Sequence, residues 1–133
     1  MVAETAEQEQ ALDLTGKRVL LIEDEYYIAD ELRRTLEAVG AEVVGPISTL
    51  SAAHEALDEG AFDCAVIDLN LHGQSALPIP DRLLDGGKSF AIATGYGSTG
   101  VPDRFNDVPR LEKPFDPPAL LRLVGQLSCS RSG

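Results

Sequence analysis

The sequence predicts a single α/β domain with a parallel sheet of five strands. Two observations carry this. Short apolar runs that read as buried strands alternate with stretches of helical period, and parallel strands need such crossovers. The apolar runs also end on polar residues: Val19-Leu20-Leu21-Ile22 on Glu23-Asp24, Cys64-Ala65-Val66-Ile67 on Asp68, Phe90-Ala91-Ile92-Ala93 on Thr94, and Arg110-Leu111-Glu112 on Lys113. The C-terminal ends of parallel strands share one edge, where ligands bind.

The elements follow in order. Strand one covers 18–23, after Gly16-Lys17-Arg18. Ile28, Leu32, Leu36 and Val39 recur at helical spacing, and Gly40 supplies the stop. Strand two is short, about 41–45, and ends at Gly45-Pro46. Ser48 or Thr49 caps a second helix carrying Leu50, Ala53 and Leu57, which stops at Gly60. Strand three is 62–68, followed by a loop containing Gly73. Pro78 and Pro80 prevent a regular start to the third helix and confine it to about 80–85. Strand four is 89–94. The segment 95–109 holds Gly95, Gly97, Gly100, Pro102 and Pro109 without an apolar period, so a fourth helix there is short or fluctuating. Strand five is about 109–113. Asp116 then caps a last helix, 117–127, that starts on Pro117 and carries Leu120, Leu121, Val124 and Leu127.

Composition narrows the function. The chain has 133 residues, 44% hydrophobic and 25% charged, as a globular domain should. No apolar run reaches the roughly 18 residues that cross a bilayer, and the acidic start is unlike a signal peptide, so no membrane is expected and the location is read as cytoplasmic. Eleven basic against 22 acidic residues leave a net charge of −11, which speaks against nucleic acid and suits cations or a basic partner face. Two cysteines make no disulfide framework: Cys64 lies in a core strand and Cys129 near the C-terminus. His54 reads as a surface residue, and His72 as a loop residue close to Asp68.

At the shared edge the polar residues make a chemical set. Magnesium takes oxygen ligands and retains water. Asp24 and Asp68 supply one oxygen each, the backbone carbonyl of Asn70 a third, and Glu23 acts through water. Glu23-Asp24-Glu25 could merely cap the next helix, but Asp68 one strand away argues for a cation among crowded carboxylates. A carboxylate beside a metal is also a nucleophile that can become an aspartyl phosphate. Lys113 can neutralise the charge on the phosphoryl oxygens and Thr94 can hydrogen-bond one of them. Pro114 biases Lys113 away from helical geometry and makes their peptide bond a cis candidate.

Leu20-Leu21-Ile22-Glu23-Asp24-Glu25, Val66-Ile67-Asp68-Leu69-Asn70-Leu71, Ala93-Thr94-Gly95 and Lys113-Pro114-Phe115 together resemble a two-component response regulator receiver domain over residues 17 to about 127. The resemblance implies a flavodoxin-like, doubly wound sheet in the order 2-1-3-4-5. It implies Asp68 as phosphoacceptor, Glu23 and Asp24 as the acidic metal pair, the Asn70 carbonyl as a further Mg2+ ligand, and Thr94 and Lys113 as the phosphate-sensing hydroxyl and lysine. Partners implied are a sensor histidine kinase or histidine phosphotransferase, and a downstream protein that the sequence does not name. The domain is a phosphoacceptor, not an enzyme acting on a separate substrate.

Three departures matter. Arg110 stands where many receivers carry an aromatic switch residue, His72 replaces a usual proline, and the 95–109 segment lacks a regular helix. Ser89-Phe90-Ala91-Ile92-Ala93-Thr94-Gly95-Tyr96 is similar to the FATGUY subfamily of stand-alone receivers, with Ile92 in place of a phenylalanine, and Tyr96 is then the substitute aromatic switch. The division expected is an acidic extension 1–15, a receiver 16–128 and a tail 129–133, with no output domain. Competing readings are a phosphohydrolase using Asp68, disfavoured by Asn70 two residues on, and a receiver-like module that binds without phosphorylation. Phosphate sink and activated effector stay unseparated.

Overall fold

The structure is a computed structural model that describes residues 13–71, 73–95, 101–113 and 115–132, without the side chains of 74 and 128–132. His72, Tyr96, Pro114 and residues 1–12 of the N-terminal extension lie outside the described residues. The strands are β1 (Arg18–Ile22), β2 (Glu42–Ile47), β3 (Cys64–Asp68), β4 (Asn70–Leu71), β5 (Gln74–Ser75), β6 (Ser89–Thr94) and β7 (Arg110–Glu112). The helices are α1 (Tyr26–Ala38), α2 (Leu50–Glu59), α3 (Pro78–Asp85) and α4 (Pro117–Ser132), with a 3-10 turn at Asp103–Phe105. The main sheet runs β2-β1-β3-β6-β7, every neighbouring pair parallel. Its five strands taken in chain order give 2-1-3-4-5. The small antiparallel β4–β5 ladder lies between β3 and α3.

Alternation explains why both sheet faces are dry. Successive strand residues point to opposite faces. Val19, Leu21, Val66, Ala91 and Leu111 pack with Leu32 and Leu36 of α1 and Leu120, Val124 and Leu127 of α4. Leu20, Ile22, Ala65, Ile67, Phe90 and Ile92 pack with Ala53 of α2, Ile79 and Leu83 of α3, and Phe105. A strand covered on both sides reads as an uninterrupted apolar run, and all five residues of β3 are buried. Leu14, ahead of β1, also enters the core and donates its N–H to Val39 O at 2.8 Å.

Three boundaries differ from the sequence expectation. β2 does not stop at Gly45-Pro46 but continues to Ile47, through a cis Gly45–Pro46 peptide and an irregular register beside Leu20 and Ile22. As an edge strand, β2 tolerates a residue without an N–H. Gly45 has φ +113°, and a Cβ there would lie 2.7 Å from Leu21 O and Ile47 N, so only glycine fits. α3 begins at Pro78 rather than near 80. Both prolines fall in the first turn, where N–H groups have no intrahelical partner to lose. α4 continues to Ser132, five residues past the expected end at 127, because no proline interrupts it; Asp116 Oδ1 accepts from Ala119 N–H at 2.9 Å, as expected of the cap. The segment after β6 holds only a three-residue 3-10 turn among its described residues, in keeping with a short fourth helix. Among the described residues, no helix is long and apolar enough to cross a membrane.

Packing and capping differ in weight. Leu32 is wholly buried between α1 and the sheet, so Leu32→Ala is expected to lower the unfolding free energy by about 2–5 kcal/mol. Thr49 Oγ1 accepts from Ala52 N–H at 3.2 Å, and Thr49→Ala is expected to cost only about 1 kcal/mol. Urea titrations of both variants check the ranking.

Candidate functional site

Parallel register brings four strand ends together. Ile22 pairs with Ile67, so Glu23 follows β1 where Asp68 closes β3. Asp68 pairs with Ala93, one residue before Thr94. Thr94 pairs with Glu112, one residue before Lys113, and Thr94 O accepts from Lys113 N–H at 2.7 Å. The backbone positions of the residues bearing the carboxylate, hydroxyl and ammonium groups are thus fixed by strand register. Glu23 is held further by its N–H donating to Ile47 O at 2.9 Å, a contact made possible by the extension of β2 past Pro46.

Lys113 is the bridge. Its Nζ donates to Asp68 Oδ2 at 2.8 Å and lies 2.9 Å from Glu23 Oε1. The side chains of Lys113 and Glu23 are 13% and 1% exposed. The second contact is an ion pair by distance, and Oε1 is otherwise buried without a partner among the described residues. Glu23 Oε2 accepts from Glu25 N–H at 3.1 Å. Asp68 Oδ1 accepts from Asn70 N–H at 2.9 Å, and Asn70 Oδ1 from Gly73 N–H at 2.9 Å, which closes the turn of the β4–β5 hairpin. Thr94 Oγ1 is buried, with no hydrogen-bond partner among the described residues.

The electrostatics follow from that burial. Desolvation, helped by the nearby Asp68 charge and opposed by Lys113, pushes the Glu23 carboxyl up to about 7. Burial alone would pull Lys113 down, but Asp68 and Glu23 outweigh it and its pKa is raised. Glu23, Asp24 and Asp68 each offer an oxygen within 4.8 Å of the others. Lys113 lies against two of these three acids, Asp68 and Glu23. Three clustered carboxylates offering hard oxygen donors, among them the buried Glu23 Oε1 that makes no hydrogen bond among the described residues, fit a divalent cation such as Mg2+.

No protein-family model matches the chain, and no curated protein does. Solved structures do. The chain is similar to SdrG from Sphingomonas melonis Fr1, at 30% identity and TM-score 0.73 over 88% of this chain and 97% of that one. The chain belongs to the response regulator receiver family. SdrG in its BeF3-activated conformation, from Pseudomonas melonis Fr1, is 33% identical with TM-score 0.70, covering 83% of this receiver and 95% of SdrG. A response regulator receiver protein from Sinorhizobium medicae WSM419 is 27% identical with TM-score 0.73, covering 90% and 99%. Receivers are phosphoacceptor signalling domains and bind Mg2+ at an acidic pocket; Glu23, Asp24 and Asp68 are the acidic cluster in this one.

Of the residues expected at the site, the structure brings together Glu23, Asp24, Asp68, Asn70, Thr94 and Lys113. Tyr96 and Pro114 lie outside the described residues. The sequence reading missed the Glu23–Lys113 ion pair, since period and spacing carry no information about which carboxylate a flexible lysine reaches. It also missed the β4–β5 hairpin, whose one local signal was Gly73, at φ +80°.

A pH dependence follows. Glu23 ionises at 4.5 ordinarily and about 7 in the folded receiver, so its neutral form favours folding. That contribution is complete below about 4.5 and is lost as pH rises through about 7. In EDTA, the melting temperature of Glu23→Gln relative to wild type is expected to climb between about pH 5 and pH 8, and Mg2+ to narrow the gap at pH 8. Thermal melts across that range check the sign.

Proposed function

We propose that this receiver accepts a phosphoryl group on Asp68 from a phosphohistidine of a sensor kinase or histidine phosphotransferase, and signals by altered protein–protein contact or by passing the group on. The observation that carries this is Lys113, held between Asp68 and Glu23 beside the unpartnered Thr94 hydroxyl. An Asp68 oxygen forms the new bond to phosphorus while the phosphorus–nitrogen bond breaks, and the leaving imidazole takes up a proton. Lys113 meets the negative charge on the phosphoryl oxygens, and the Thr94 hydroxyl donates to one of them. Glu23, Asp24, Asp68 and the Asn70 backbone carbonyl would hold Mg2+, which supplies positive charge to the same oxygens.

Residues 16–128 carry this function, flanked by 1–15 and 129–133, and we place the exchange in the cytoplasm. The run Ala93-Thr94-Gly95-Tyr96 supports membership of the FATGUY subfamily, with Tyr96 as the aromatic that follows Thr94. The segment leading from Thr94 to β7, with β7 and α4, is the face that changes.

Amide NMR spectra recorded with Mg2+ before and after beryllofluoride test the reading. Peaks of residues near 68–75 and 94–113 are expected to shift or sharpen, and Asp68→Ala to stay silent. Mg2+ binding without a beryllofluoride response would leave a receiver that binds partners constitutively.

A further inference from the structure

Residues 101–109 stand where the sequence supports no regular helix, and their own bonding is slight. Within the segment, Phe105 N–H donates to Pro102 O, Asn106 N–H to Asp103 O and Val108 N–H to Phe105 O, each at 3.0 Å. What fixes the segment to the body is mainly side-chain contact, with Val101 and Val108 packed against the core. Phe105 is wholly buried, edge-on to Phe90 with ring centres 6.5 Å apart. Arg104 forks onto Asp81 of α3, Nε to Oδ1 at 2.8 Å and Nη2 to Oδ2 at 2.8 Å, and its guanidinium lies 4.7 Å over the Phe105 ring. A bidentate fork defines direction as well as distance.

The C-terminal end of this stretch is tied to the sheet beside the site. Ile92 N–H donates to Pro109 O at 2.9 Å, and Lys113 N–H to Thr94 O at 2.7 Å. A displacement at Thr94 therefore acts on β7, and through it on Pro109 at the end of residues 101–109. α3 is held separately. Arg82, next to Asp81, reaches Asp58 Oδ1 at 2.6 Å and His54 Nδ1 at 3.0 Å, both on α2. A helix pinned to its other neighbour does not follow the moving segment, so movement is resisted by the Asp81–Arg104 fork.

We propose that the Asp81–Arg104 fork is a catch that holds residues 101–109 in their resting position against α3, and that its release favours the conformer in which a phosphoryl group on Asp68 is accommodated. The proposal rests on the reading of Asp68 as phosphoacceptor. The two side chains are 51% and 42% exposed, Arg104 and Asp81 respectively, so the catch is weak: surface ion pairs of good geometry shift an equilibrium by roughly two- to five-fold. A ligand that selects the released conformer binds more tightly when the resting one loses a contact.

The test is the dissociation constant of beryllofluoride in excess Mg2+, followed by amide NMR, for wild type, Arg104→Ala, Asp81→Asn and the double variant, at a temperature where melts show all four folded. The expected result is binding about two- to five-fold tighter in each single variant, with no further gain in the double, since either change opens the same catch. In about 1 M NaCl, where the Debye length is about 3 Å, wild type should approach the variants. Binding equal to or weaker than wild type in the single variants, or additive gains in the double, overturns the catch while leaving Asp68 as acceptor. A wild type that does not respond at all, like an Asp68→Ala control, overturns the acceptor reading and the catch with it.

Discussion

The Lys113 ammonium between Asp68 and Glu23 is the interaction on which the site depends. It places one positive charge, from the end of β7, within 2.9 Å of two carboxylates delivered by the ends of β1 and β3. Without it the buried Glu23 oxygen would face Asp68 across a poorly solvated gap, and both could not remain ionised. With it the site still gathers three acids within 4.8 Å of one another, a donor set that suits a divalent cation.

The sheet makes this arrangement possible at low cost. In a doubly wound sheet every strand is sealed on both faces, so polar side chains have room only where strands end. Parallel direction puts all those ends on one edge, and the order β2-β1-β3-β6-β7 makes the four bearing polar residues consecutive. β2 bears none of them, yet Ile47 O, past the cis Gly45–Pro46 peptide, holds the backbone of Glu23. An edge strand with no functional side chain thus positions one of the three acids through its backbone.

The stretch from Thr94 to β7 works differently from the rest of the body. The four helices carry their own hydrogen-bond ladders, whereas residues 101–109 are held mainly by side chains, with Phe105 buried, Val101 and Val108 packed beside it and Arg104 forked onto Asp81. Few hydrogen bonds of its own make such a piece easier to rearrange than a helix. Phe105 attaches the segment to the core, and Arg104 beside it makes the exposed contact to α3.

Much of the fold was legible from residue order alone. Apolar strands closing on Glu23-Asp24, Asp68, Thr94 and Lys113 imposed the parallel α/β reading, because a two-face-buried strand has to be uninterrupted and its polar end has to emerge at the sheet edge. Glu23, Asp24, Asp68, Thr94 and Lys113 were named on that logic, and Asn70 as a carbonyl donor two residues after Asp68. Boundaries were less legible: Pro46 reads as a stop, but an edge strand does not need its N–H, and Pro78 and Pro80 read as obstacles, but a first helical turn accommodates both. What only the tertiary structure decided are contacts between residues distant in the chain and chosen by rotamer. These are Lys113 on Glu23 as well as Asp68, Glu23 raised toward neutrality by burial, and Arg104 on Asp81. Periodicity specifies which face a residue occupies, while the partner it meets there depends on how helices and strands pack in three dimensions.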